Sequence, residues 1–301
     1  MITLQESLRG AFYAPFYAAM TMDAFAKEGV EVRFVSSPTP AQAMEGLMTG
    51  TVDVGWGGPM RVNEAYKLIP SADFKCFAEV VTRDPFFLIS RDPAGTFTPE
   101  SLLGKRLGAV SEVPTPWLCL QHDLRLGGVD PAALNRVADR GMAANVAALR
   151  SGDLDVVQVF QPFAEELIED GFHLLYAAAE RGLCSYTVFY ARAGVIARKR
   201  TELGGMVRAM HRTLQWIAQA SPAEIAAAMA GYFPDVPRAR LAAVCARYRA
   251  LGIWGASPVL PRAGYERLLA GMVSGGFVSP GTSFEKAVDN SLAEEAVAAC
   301  G

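Results

Sequence analysis

Histidine is scarce in this chain. Only His122, His173 and His211 occur in 301 residues, and none lies beside a candidate nucleophile. The sequence holds no G-x-S-x-G, no H-E-x-x-H and no phosphate-binding glycine loop. No catalytic residue, metal ligand or cofactor is therefore expected, although a triad assembled in space would leave no such trace. The five cysteines (Cys76, Cys119, Cys184, Cys245 and Cys300) are scattered, odd in number and without a C-x-x-C pair. That spacing argues against a disulfide framework and against a structural zinc site, and favours buried thiols.

Excess charge of either sign is also missing. Lys plus Arg number 28 and Asp plus Glu 31, a net charge of −3, so no basic face offers itself to nucleic acid or to an anionic membrane. No apolar run reaches the length of a membrane span; Val188 to Ile196 is too short and contains Arg192. The opening MITLQESLRGAFYAPF is strand-like from the start, without a basic region, apolar core and cleavage site. It predicts a periplasmic protein whose leader was removed before this numbering, or else a cytoplasmic one.

A repeated phrase organises the chain. Ser36–Pro59 reads as polar loop, short helix, glycine turn, buried strand and glycine-rich exit, and Ala143–Pro162 repeats it. Aligning Gly50 with Gly152 (152 − 50 = 102) also superposes Leu47 on Leu149 and Asp53 on Asp155. One repeat at so wide a separation is no solenoid. It predicts two α/β lobes of similar build, each turning a strand end toward a shared crevice, and the length suits two lobes better than one.

The remaining elements follow from periodicity and punctuation. Strands are expected at Ile2–Leu4, Val30–Val35, Cys76–Val81, Phe86–Ile89, Leu107–Val110, Leu174–Ala177 and Tyr186–Tyr190. A first crossing between lobes is expected at Thr82–Pro85, and the strand from Tyr186 crosses back. Arg83-Asp84 reads as a hinge salt bridge. A helix begins near Pro15 and runs to Lys27; others fit Met60–Leu68, Arg238–Leu251, Arg262–Met272 and Phe284–Val297. Ser221-Pro222-Ala223-Glu224 has capping-box spacing. The expected lobes are residues 1–83 with 189–301, and residues 84–188.

In open α/β sheets, ligands sit beyond the carboxyl ends of strands, often against helix N-termini that suit anions. Five loops meet that description and supply the candidate ligand-binding residues. They are Arg9, Phe12 and Tyr13; Ser36 and Ser37; Trp56, Gly57, Gly58, Pro59 and Arg61; Ser111, Glu112, Thr115 and Trp117; and Gln158 with Phe160. Tyr186 joins them from the returning strand. Trp56 and Trp117 read either as core aromatics or as stacking faces, and Arg61 either as a solvated first-turn residue or as a ligand group. Glu112 reads as a helix-terminus residue or as an acceptor for a ligand amine. Gly57-Gly58 lacks the spacing of a dinucleotide fingerprint.

Tyr13-Ala14-Pro15-Phe16-Tyr17-Ala18-Ala19, then Phe25-Ala26-Lys27-Glu28-Gly29-Val30-Glu31-Val32, resembles the opening of the sulfonate-binding and thiamine-pyrimidine-precursor-type (NMT1/THI5-like) solute-binding proteins. The likeness continues through Gly50, Asp53-Val54-Gly55 and Gly104-Lys105-Arg106-Leu107-Gly108, and it covers essentially the whole chain. It implies an α/β, type II periplasmic binding fold, with two lobes joined by two crossings and closing on a small organic ligand. It also implies an ABC transporter permease as partner, with the binding protein itself monomeric. The ligand it implies is aromatic, heteroaromatic or sulfonate-like. Arg9 and loop N–H groups would hold its polar end, Trp56, Phe12 and Trp117 would stack, and Glu112 would take an amine. Enzymes of this family use a cysteine-rich run with an active-site His, or a Cys near the first helix. This chain has Phe25-Ala26-Lys27 at the latter place and neither of the former, so an intracellular enzyme or a cytoplasmic sensor is the rival reading.

Overall fold

The computed structural model describes residues 1–69, 71–93 and 95–300. Pro70, Ala94 and Gly301, which fall within the expected lobes, lie outside the described residues.

Among the described residues the ten strands are β1 (Ile2–Glu6), β2 (Val32–Ser36), β3 (Val54–Gly57), β4 (Phe74–Val81), β5 (Phe87–Ser90), β6 (Arg106–Gly108), β7 (Asn135–Val137), β8 (Val156–Val159), β9 (His173–Ala177) and β10 (Thr187–Arg192). They form two five-stranded sheets, ordered β2-β1-β3-β10-β4 and β7-β6-β8-β5-β9. In the first, β1 runs parallel to β2 and β3, while β10 is antiparallel to β3 and β4. The second repeats the plan: β6 is parallel to β7 and β8, and β5 is antiparallel to β8 and β9. The central strands β1, β3, β5 and β8 are buried at every position. Burial on both faces lets β5 read as a nearly continuous apolar run (Phe87-Leu88-Ile89), whereas in β1 the buried polar residues Thr3, Gln5 and Glu6 interrupt the pattern.

The repeated phrase has a structural counterpart. Gly50 (φ 77°) and Gly152 (φ 90°) end the helices Glu45–Thr49 and Met142–Ser151 in the left-handed region, where glycine carries no Cβ penalty. Leu47 and Leu149 are both buried. Asp53 Oδ2 accepts from the Thr3 backbone N–H at 2.9 Å, and Asp155 Oδ2 accepts from the Arg106 N–H at 2.8 Å. Each aspartate thus ties the start of its strand to the neighbouring parallel strand and sets the register of the strand ends that follow.

The chain passes between the sheets twice, after β4 and before β10. β10 begins at Thr187, so Thr187 and Val188 pair in the first sheet although the sequence placed them with the second. Asp84 forms its ion pair with buried Arg181, not within an Arg83-Asp84 pair, and so ties the first crossing to the second. Two helices of the C-terminal half flank these crossings. Tyr248, on the helix Arg238–Ala250, donates to Pro85 O at 3.1 Å and accepts from the Gln161 N–H at 3.0 Å. The helix Arg262–Ser274 sets Gly271 against Cys119 of the second sheet's helix Thr115–Leu126.

Two expected helices are broken. The first divides into Ala14–Thr21 and Ala24–Lys27 at Asp23, whose φ of 54° is one that Asp tolerates better than most residues. The last divides into Phe284–Ala287 and Ser291–Cys300, because Val288 turns extended and bridges to Cys76 of β4. The capping box is present: Ser221 Oγ accepts from the Glu224 N–H at 3.3 Å, and Glu224 Oε2 accepts from the Ser221 N–H at 2.8 Å.

Candidate functional site

Because β1, β3, β6 and β8 all end toward the junction of the sheets, four strand exits converge there. They enclose a cavity of about 450 Å³, counted out to its mouth. The exit of β1 supplies Ser7, Leu8, Phe12 and Tyr13, and that of β3 supplies Gly58, Met60 and Arg61. From the second sheet come Val113 and Thr115 after β6 and Phe160 after β8, and the two crossings add Phe86 and Tyr186.

Aromatic rings make one end of the wall. Phe160 meets Phe12 at 5.5 Å (76°) and Phe86 at 5.3 Å (83°), and Tyr186 lies edge-on to Phe12 at 6.3 Å (88°). Such edge-to-face contacts add to simple burial and hold each ring at a defined tilt. Trp254 Nε1 donates to Phe12 O at 2.8 Å, which fixes the turn carrying Phe12. The other end is polar. Tyr13 OH lies 3.5 Å from Ser7 Oγ, and burial pushes its phenol up to about 12. The Tyr186 hydroxyl is buried with no hydrogen-bond partner among the described residues, and burial raises its pKa as well. Arg61 is the charged side chain on this wall, only 9% exposed, and its Nη1 donates to Glu64 Oε2 at 3.1 Å. An apolar box with a few convergent polar groups suits a small organic molecule whose one polar end is an acceptor or anion.

Of the residues expected from sequence, Phe12, Tyr13, Gly58, Arg61, Thr115, Phe160 and Tyr186 line the cavity. The others are placed elsewhere, each with a visible cause. Arg9 is held by Glu6 and by the rings of Tyr17 and Tyr232, at 5.6 and 5.3 Å. Ser36 donates to Glu6 Oε1 at 2.7 Å, and the half-buried Ser37 donates to Thr39 O at 2.7 Å. Trp56 is fully buried, with Phe16 stacked at 4.2 Å and Phe34 at 5.2 Å, so its faces are taken. Gly57 lies within the sheet against Tyr190, and Pro59 is the buried cap of the helix Met60–Leu68. Ser111 donates to Arg140 O at 2.9 Å. Glu112 Oε1 accepts from the Met142 N–H at 2.7 Å and so serves the N-terminus of a helix rather than a ligand amine. Trp117 packs in a separate cluster under Arg136, whose guanidinium lies 4.2 Å from its ring. Gln158 Nε2 is spent on Pro116 O at 3.0 Å.

Sequence reasoning missed Ser7, Leu8 and Phe86, while Met60 and Val113 lay within the expected loops without being singled out. Ser7 and Leu8 directly follow β1, so the strand-exit argument applied one turn earlier would have found them. Phe86 carried a strand signal that hid its place at a crossing. Among the described residues no three His, Cys, Asp or Glu side chains are grouped to hold a metal. No described helix is long and apolar enough to cross a membrane.

Residues 11–225 match the family described as NMT1/THI5 like. The chain belongs to that family. "Putative binding protein YtlA" of Bacillus subtilis (strain 168) is 23% identical over 301 residues, covering 98% of this chain and 89% of that protein. The periplasmic aliphatic sulphonate binding protein SsuA of Escherichia coli superposes with a TM-score of 0.76 at 13% identity, over 94% of each chain. The desulfurization enzyme DSZB superposes with a TM-score of 0.70 at 14% identity, over all of both chains. At such identities the solved structures show the fold, and the fold is the expected α/β, type II periplasmic binding one. Because the fold carries both binders and an enzyme, chemistry has to be read from the cavity itself.

Proposed function

We propose that this protein is a solute-binding protein that captures a small organic ligand in the cavity between two lobes and presents it to an ABC permease. The lobes follow the two sheets, and the C-terminal helices ride with the first. The ligand has a flat apolar body, seated among Phe12, Phe86, Phe160 and Tyr186, and an anionic or acceptor end toward Ser7, Tyr13, Thr115 and Arg61. Sulfonate-like and aromatic acids fit that description. The observation that carries the reading is the shared cavity: four strand ends and both crossings contribute to one aromatic-walled pocket. Closure would follow from a ligand touching both lobes, since only differential contact shifts an open–closed equilibrium. The permease, a monomeric state and a periplasmic location belong to the same proposal.

The rival enzyme reading has less support, because the described residues lining the cavity include no Cys, His or carboxylate. A thermal-shift screen against arylsulfonates, aromatic carboxylates, aminopyrimidines and nitrate tests the proposal. A ligand at a thousandfold excess over its dissociation constant adds about 4 kcal/mol. Aromatic acids are expected to raise the melting temperature without being consumed; conversion of the compound on incubation would favour the enzyme.

A further inference from the structure

Arg61 borders two cavities. On one side it faces the pocket between the sheets, and on the other it lines an open outer groove together with Met44, Met48, Glu64 and Leu68. Its side chain is 10% exposed, whereas that of Glu64, one turn along the helix Met60–Leu68, is 29% exposed and lines only the groove. The pair is held through Nη1 at 3.1 Å, and among the described residues no other hydrogen bond engages the guanidinium. Arg61 also draws down the Tyr13 and Tyr190 phenols against the burial that raises both, so its charge reaches the cavity's polar end.

Resting on the ligand reading above, we infer that Glu64 and the ligand's anionic head compete for Arg61, which makes Glu64 a residue that sets affinity and charge selectivity. A neighbouring-turn pair with one partly solvated partner is a weak interaction. It can yield to an anion arriving on the buried side, where a charge-assisted hydrogen bond is stronger. Glu64 thus keeps a buried guanidinium neutralised, and a ligand must be a good enough acceptor to displace it. A neutral ligand of the same shape leaves the pair intact and gains nothing from Arg61.

Benzenesulfonate and its neutral counterpart benzenesulfonamide separate these terms by calorimetric titration of the whole protein. Arg61→Gln is expected to weaken benzenesulfonate about tenfold or more, and benzenesulfonamide less than about twofold. Glu64→Gln is expected to tighten benzenesulfonate about two- to fivefold and to leave benzenesulfonamide unchanged. Unchanged sulfonamide binding also reports that each variant is folded. Equal losses of both probes in Arg61→Gln, or weaker benzenesulfonate in Glu64→Gln, would overturn the competition while leaving the cavity's role standing. If wild-type protein binds neither probe, the ligand reading fails, and this inference with it.

Discussion

Arg9 donates to both carboxylate oxygens of Glu6, with Nη2 to Oε1 at 2.5 Å and Nε to Oε2 at 3.2 Å. Glu6 is 2% exposed and also accepts from Ser36 Oγ at 2.7 Å and Tyr17 OH at 3.0 Å. The network clamps the end of β1 to the end of β2 and to the first helix. It absorbs two residues, Arg9 and Ser36, that sequence alone offers to a ligand. Arg9→Ala is therefore expected to cost about 1–3 kcal/mol of stability by stripping a buried carboxylate of its main partner. Ligand affinity should stay within about twofold. Denaturant unfolding and calorimetry read the two effects separately.

Asp155 gives a prediction of the opposite kind, at a place the repeat made legible. Hydrogen bonds from the Arg106 side chain and backbone hold its carboxyl down at about 2. A depressed acid stabilises the fold above its unfolded value of about 3.8, and that contribution is lost as pH falls through about 2. The pair is partly solvated, so Asp155→Asn should cost only about 1 kcal/mol at neutral pH. The cost should vanish below pH 2. Equal unfolding free energies at pH 7 would count against the register role given to the Asp-Val strand start.

Glu79 tests the interior beside the crossings. Burial pushes its carboxyl up to about 8, against the opposing pull of the Ser185 and Thr82 hydroxyls. An acid raised in the folded state binds its proton more tightly there than when unfolded. Stability should then fall as pH rises from about 4.5 to about 8 and level off above, by at most about 1.4 kcal/mol per pH unit. Glu79→Gln should flatten that slope, so the variant gains on wild type steadily between pH 5 and pH 8. A difference that does not change with pH would refute it.

These cases show why the fold was more legible than the site. Gly50, Gly152, Asp53 and Asp155 announce themselves because a helix stop and a strand start are local events. The two sheets follow once the phrase is seen to occur twice. Trp56 stayed open between core and ligand because what decides its role is Phe16 and Phe34, which stack on it from a helix and from another strand. Glu112 stayed open between helix terminus and ligand because its partner, the Met142 N–H, lies thirty residues on in the sequence. Val288 ended a helix for the sake of Cys76, a contact no local pattern contains. Aromatic type and strand-exit position together did pick out Phe12, Tyr13, Phe160 and Tyr186, which line the cavity.

The central claim is that the cavity between the sheets takes one small organic ligand. The most direct test is calorimetric titration of wild-type protein with an arylsulfonate beside Val113→Trp, which fills the cavity from its partly exposed rim. The account predicts saturable one-to-one binding to wild type and none to the filled variant. Equal binding by both proteins would place the ligand elsewhere and contradict it.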